Sequence, residues 1–303
     1  MKKSLILSLL LTSIALTSCQ ISNNTKTSII SSVKANDITL GQYPQTLVED
    51  SELISKLNNI ESTSNTIELE GLKYEKVTAS PYYDSNDIKS NSGNTTFKTG
   101  ETYYFLYEDI EWYGISYKED IIYFSKYILD KHEFSNNLSI EEKDNTTIYP
   151  NQYLYSDIKE YLNTTFLDFA FNEDEKATIK LSSNRNDLAS FGNNKLLTFA
   201  ETKNSDDYVF LLSYEEITNY TNLAYIKQGN LTDYAKAVGT FYYLTEDDSH
   251  LDLEDDYIGR SSYYLRSPIK SSNNVCIYDY KNDISAFGVN KSYMGLRPAI
   301  RLN

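Results

Sequence analysis

Aromatic and β-branched residues fall in strand-length blocks towards both ends of the chain, and a helix-spaced block separates them. Tyr103 to Tyr107, Glu111 to Tyr117 and Ile121 to Ser125 form the first group, with Lys118-Glu119-Asp120 as the hairpin turn between the last two. Tyr263 to Arg266, Asn274 to Tyr278, Ile284 to Val289 and Arg297 to Leu302 form the second. Between them Ser156 is a natural helix cap, followed by Ile158, Tyr161, Leu162, Phe166 and Phe169 at helical spacing. Asn172 with Glu175, and Ser213 with Glu216, have the form of capping boxes. Thr232 to Gly239 reads as a short helix stopped by Gly. Strands, then helices, then strands predict an α+β fold: a mixed, largely antiparallel twisted sheet with flanking helices, not a doubly wound one.

Upstream, Ile38 to Gln45 reads as a strand stopped by Gly41 and Pro44. Asp50 to Ile60 carries Leu53, Ile54, Leu57 and Ile60 on one helical face, capped by Asp50 or Ser51. Leu69 to Val77 is strand-like, and Ser80 to Gly100 is a polar loop with a short extended piece. No linker or repeat divides this region, so we expect one domain over 37–303 with an N-terminal extension over about 37–100.

The first residues set an address. Met1-Lys2-Lys3 is basic, Leu5 to Leu16 is an apolar run, and Leu16-Thr17-Ser18-Cys19 follows. Twelve helical residues rise only about 18 Å, short of a roughly 30 Å hydrocarbon core, so the run reads as an export signal. The Cys after Leu-Thr-Ser resembles the lipobox of bacterial lipoproteins. That resemblance implies a signal peptide over 1–18 and lipid on Cys19. It further implies a Ser- and Asn-rich tether over 19–36, and a bacterial envelope location facing outward. With no Asp after Cys19, the location is the outer membrane if the source has two membranes. The membrane, through that lipid, is then one partner.

Charge excludes another class. Lys and Arg number 28 against 43 Asp and Glu, a net charge of -15, and such a chain repels a phosphate backbone. We therefore expect no nucleic-acid partner. With Cys19 lipidated, Cys276 has no disulfide partner and reads as a small buried hydrophobe in Val275-Cys276-Ile277-Tyr278.

Several short segments in order along the chain resemble the DUF6273 domain family of exported bacterial proteins. They include Gly41-Gln42-Tyr43-Pro44-Gln45, Tyr103-Tyr104-Phe105, Ile110-Glu111-Trp112 and Tyr127-Ile128-Leu129-Asp130. Ser156 to Asn163, Asp233-Tyr234-Ala235-Lys236-Ala237, Tyr263-Tyr264-Leu265-Arg266-Ser267-Pro268 and Gly295-Leu296-Arg297-Pro298-Ala299 follow. The family usually has Trp where this chain has Tyr161, Tyr263 and Tyr264. The ending is also similar to the C-type-lectin-like fold used by formylglycine-generating enzymes, which implies a loop-rich binding face. The chemistry of those enzymes needs paired cysteines, and one thiol does not supply it.

Candidate binding residues come from Arg and Tyr. Of five Arg, four (Arg260, Arg266, Arg297 and Arg301) lie near the C-terminus. Arg266 and Arg297, with Tyr263 and Tyr264 beside them, are the ligand-binding candidates for a glycan or anion. The competing reading has both guanidinium groups paired with buried carboxylates or carbonyls, and we favour it. The 28 tyrosines include doublets Tyr82-Tyr83, Tyr103-Tyr104, Tyr242-Tyr243 and Tyr263-Tyr264; neighbours on a strand point to opposite faces, so some phenols should be near the surface. Glu246 to Asp256 packs seven acids but lacks the Gly and alternating spacing of a calcium loop. His132 and His250 have no metal-binding spacing. We therefore expect no metal, no cofactor and no catalytic residues. The sequence reads as a non-enzymatic surface module binding a glycan or protein; an envelope-acting enzyme and a structural envelope component are the alternatives.

Overall fold

The first strand runs through both of the residues expected to stop it. In the computed structural model, which describes residues 35–83, 88–117, 120–186, 203–218, 224–244, 257–270 and 273–303, strand β1 (Ile38–Leu47) continues past Gly41 and Pro44. Its register against β4 (Thr102–Tyr117) slips between Thr39 and Gln42 and again between Pro44 and Thr46, so both breakers sit at bulges. Gly41 has φ +74°, and a Cβ there would lie 2.6 Å from the Phe171 ring and 2.7 Å from the Ala170 carbonyl. Only Gly fits both demands.

Helix α1 (Ser51–Asn58) follows, with Asp50 accepting from the Leu53 amide at 2.8 Å. Strands β2 (Thr66–Leu69) and β3 (Leu72–Thr78) form a hairpin on β4. The two aromatic blocks at Tyr103 and Glu111 are one sixteen-residue strand, not two. Its length lets it pair with β1, with β3 through Thr102 to Leu106, and with β5 (Asp120–Ser125) through Trp112 to Tyr117. Next come β6 (Asp130–Lys131) and the small hairpin β7 (Glu141–Lys143) and β8 (Thr146–Ile148).

The helical block is α2 (Asp157–Tyr161), one π turn (Leu162–Phe166) and α3 (Leu167–Ala170), capped by the Ser156 hydroxyl. In the π turn Asn163 bonds the amides of Tyr208 and Val209 and the carbonyl of Val209, so the irregular turn is tied to the neighbouring strand. Helix α4 (Glu173–Thr178) has the expected Asn172–Glu175 capping box. Strands β9 (Ser182–Asn184), β10 (Ser205–Asp207) and β11 (Val209–Phe210) precede α5 (Tyr214–Thr218). Ser213 and Glu216 bond each other's amides, the second predicted box. Helix α6 (Ala224–Lys227) and helix α7 (Asp233–Ala237), the latter capped by Thr232, complete the block.

The final strands are β12 (Tyr263–Pro268), β13 (Asn274–Tyr278), β14 (Ile284–Gly288), β15 (Gly295–Leu296) and β16 (Ala299–Ile300). One sheet has the order β11-β16-β5-β4-β3-β2, with β1 also on β4; the other is β14-β13-β12-β15-β6. Of these strand pairs only β12 with β15 is parallel. The protein is α+β with largely antiparallel sheets. Of the last predicted strand, Arg297 to Leu302, only Ala299–Ile300 is β16; β15 lies just before it in the other sheet, and Arg297-Pro298 joins the two. The main core draws Trp112, Phe124, Leu162, Phe166, Tyr263 and Tyr264 from both sheets and the helical block. Cys276 is a buried free thiol whose pKa burial pushes up.

Candidate functional site

All four ligand-binding candidates from the sequence are buried. Neighbouring Tyr263 and Tyr264 both turn inward because both faces of β12 are covered; Tyr263 donates to the Lys227 carbonyl at 2.8 Å and Tyr264 to the Gly288 carbonyl at 2.6 Å. Both residues of this doublet are internal because the strand is sandwiched between layers, whereas Tyr82 of another doublet is 37 % exposed. Arg266 makes a forked pair with Glu216, Nη2 to Oε1 at 2.8 Å, and also donates to the carbonyls of Leu211 and Arg185. Arg301 reaches the same carboxylate at 3.3 Å. Arg297 has no carboxylate partner among the described residues. It donates to the carbonyls of Ser125, Lys227, Lys126 and Ile226 at 2.7–3.2 Å, and its guanidinium lies 4.0 Å from the Phe124 ring centroid. These groups fasten the chain to itself. Cys19 and the acidic run over 246–256, His250 included, lie outside the described residues.

Accessible polar chemistry gathers elsewhere. A cleft of about 850 Å³ opens between β1, β4, the 88–97 loop, α7 and Tyr242. Strand β4 supplies Glu108, Asp109 and Glu111 to one wall. Glu108 accepts from the Thr46 hydroxyl at 2.6 Å, Asp109 from the Gln42 amide at 3.1 Å, and Glu111 pairs with Lys126 at 3.6 Å. Tyr127, 38 % exposed, and Tyr242 bring aromatic surface, while Asn91 and Asn230 bring amides.

The opposite wall is held by charges that are themselves buried. Asp233 accepts from the Asn91 amide at 2.6 Å and the Leu47 amide at 3.2 Å. Burial pushes its carboxyl up despite those bonds. Lys236, one turn on, donates to the Asn91 side-chain oxygen at 2.6 Å and the Lys89 carbonyl at 3.0 Å; burial pushes its ammonium down. The Asn91 side-chain amide in turn donates to the Leu231 carbonyl. From outside, Glu49 accepts from the hydroxyls of Ser90, Ser92 and Thr95 and from the Asn94 amide, and those bonds hold its carboxyl below its ordinary value. The loop is therefore a set wall. Asp233→Ala should remove the acceptor of the Asn91 amide and orphan the buried Leu47 amide, cost about 1–3 kcal/mol, and speed hydrogen exchange at Asn91. Unchanged exchange there would show that Asp233 does not hold the wall.

Sequence reasoning named Tyr242 in one of the tyrosine doublets but assigned none of the cleft residues to a site. The available signal was Asp233-Tyr234-Ala235-Lys236-Ala237, which puts an acid and a base one turn apart in a helix whose remaining residues are apolar or aromatic. Among the described residues no group of three His, Cys, Asp or Glu is placed to hold a metal ion. No helix among them is long and apolar enough to cross a membrane.

The model of a family described as a domain of unknown function, DUF6273, matches residues 118–303, more than half of the chain. The resembling segments at Gly41, Tyr103 and Ile110 precede that match. No curated protein and no solved structure matches the chain. The cleft is composite: β1, β4 and the 88–97 loop lie ahead of the matched region, while Tyr127, α7 and Tyr242 lie within it.

Proposed function

Since the chain belongs to the DUF6273 family, which is itself defined without an activity, we propose a function from the site: a binding module that takes a glycan in the cleft. The observation that carries this is the make-up of the cleft. Its volume of about 850 Å³ is in the range of ligand sites. Carboxylates, amides and hydroxyls from both walls match the mixed donors and acceptors of a sugar, and Tyr127 and Tyr242 offer faces to its C–H surface. The lectin-like binding face implied by the terminal motifs belongs to the same reading.

The address is part of the proposal. Lipid on Cys19 would hold the module at the outer face of a bacterial envelope, with 19–36 as its tether. Cys19→Ala is expected to release the protein from the membrane fraction or leave it unprocessed, while normal cleavage with unchanged retention would refute it.

One observation favours an enzyme acting on envelope material as the second reading: an open cleft with several carboxylates. Against it, Asp233 is the cleft acid whose carboxyl is raised, and its two oxygens are already taken by backbone amides. A glycan array probed with the purified chain tests the leading reading. Binding lost in Asp109→Asn places it in the cleft, binding unchanged by cleft substitutions moves the site elsewhere, and turnover of a bound glycan supports the enzyme. No binding to any glycan leaves a structural role.

A further inference from the structure

The charge in the cleft has one sign. Glu108, Asp109, Glu111 and Asp233 line it against a single lining cation, Lys236. That ammonium is spent on Asn91 and Lys89, so it is not offered to a ligand. Among the described residues, Glu108, Asp109 and Asp233 make no ion pair; Glu111 alone does, with Lys126. Asp233 is the more telling, because it is only 4 % exposed. Its two amide bonds and the Lys236 charge one turn away offset only part of the cost of burying it, and its carboxyl stays raised. A concave wall of one sign in an acidic protein also focuses its field on whatever enters. An anionic sugar is repelled there, and a neutral one gains nothing from the field.

Resting on the glycan reading above, we propose that the ligand carries ammonium groups: a segment of amino sugars left unacetylated. The ammonium groups would make charge-assisted hydrogen bonds to the β4 carboxylates. Tyr127 adds a half-exposed ring, which attracts a cation as well as a sugar, while the Tyr242 ring already lies 5.2 Å from the Lys236 ammonium. The hydroxyl of Thr39 and the amide of Asn230 suit the remaining sugar hydroxyls. These neutral groups favour an amino sugar over a cationic peptide, for which carboxylates and rings alone would serve.

Calorimetry on the purified full chain compares the β-linked glucosamine tetramer with its fully N-acetylated counterpart. The free-amine tetramer should bind about tenfold tighter or more, a difference of about 1.4 kcal/mol, and the gap should narrow in high salt. Asp109→Asn and Glu111→Gln, both at exposed positions, should each weaken the free-amine tetramer several-fold and leave the acetylated one unchanged. Glu173→Gln, exposed on α4 and away from the cleft, should change neither. Equal affinity, or preference for the acetylated tetramer, overturns the ammonium inference and leaves the glycan reading standing. No binding of either tetramer also overturns it, with the array still deciding whether another glycan binds. Oligolysine bound as tightly as the amino sugar overturns both, because charge alone would then explain the cleft.

Discussion

Replacing Arg297 by Lys should lower stability by about 3–5 kcal/mol, because a buried polar group left without its partner costs about 1–3 kcal/mol and four carbonyls share this one guanidinium. For a domain of this size that is roughly 10 °C in melting temperature. Two of those carbonyls, Ser125 and Lys126, lie at the end of β5 and just after it; the other two, Ile226 and Lys227, end α6. Arg297 itself stands where the chain passes from β15 in one sheet to β16 in the other. One planar cation therefore joins two sheets and a helix. An ammonium has three donors and no flat face, so Lys cannot span the four oxygens or stack between the Phe124 and Tyr263 rings. Burial lowers the Arg297 pKa without a carboxylate to offset it, so a poorly fitted charge there is worse than none. Arg297→Met should accordingly also destabilise, through its orphaned carbonyls, whereas Lys291→Ala nearby should melt close to wild type. Thermal melts of the three variants decide the matter. A Lys variant that melts with wild type would mean that the four-carbonyl clamp contributes little.

Glu216→Ala should cost about 3–5 kcal/mol as well, since it strands the buried guanidinium of Arg266 and removes the Glu216 contact of Arg301. It also removes one side of the Ser213 capping box, so α5 loosens with the ion pair. The same group gives a pH signature. Burial alone would raise the Glu216 carboxyl, but Arg266, with Arg301 behind it, outweighs that and leaves it below its ordinary value. A carboxyl depressed in the folded state contributes fully above its unfolded pKa of about 4.3. Its contribution is lost as pH falls through the lower folded value. Wild type should therefore lose stability on acidification by more than Glu216→Gln does, and the two curves should converge at the acid end. Parallel curves would show that the pair does not titrate with folding.

Arginines read from sequence alone illustrate how far such reading goes. Their crowding near the C-terminus, against a background of Lys, pointed to guanidinium chemistry there, and the expectation of carboxylates or carbonyls as partners covers both outcomes. Which arginine took which partner was not legible. Glu216 lies 50 residues from Arg266, and Lys227 lies 70 from Arg297; no local pattern links them. The tyrosine doublets put some phenols near the surface, as at Tyr82, but which doublet stays inside was not legible for a related reason. Alternation predicts opposite faces, but whether a face is wet depends on what the rest of the chain lays over it. Helices and sheets cover both sides of β12, so Tyr263 and Tyr264 are both inside.

What the sequence determined by itself is the local and the serial. Capping rests on contacts within three residues: the caps at Ser156, Asn172 and Ser213 form as read, and Asp50 is the one of the two candidates that caps α1. The order of strand and helix blocks gives the α+β class, and the ordered motifs give the family. Tertiary structure decided the breaks and the site. Gly41 and Pro44 were absorbed into β1 as bulges because a long partner strand outweighed two local breakers. The stretch from Arg297 to Leu302 kept only the two-residue strand β16, because Arg297-Pro298 carries the chain over from β15 in the other sheet. The cleft exists only when Asn91 meets Asp233 across 142 residues and β4 faces both. Backbone preferences act over a few residues, whereas a cleft depends on which distant surfaces the core leaves uncovered.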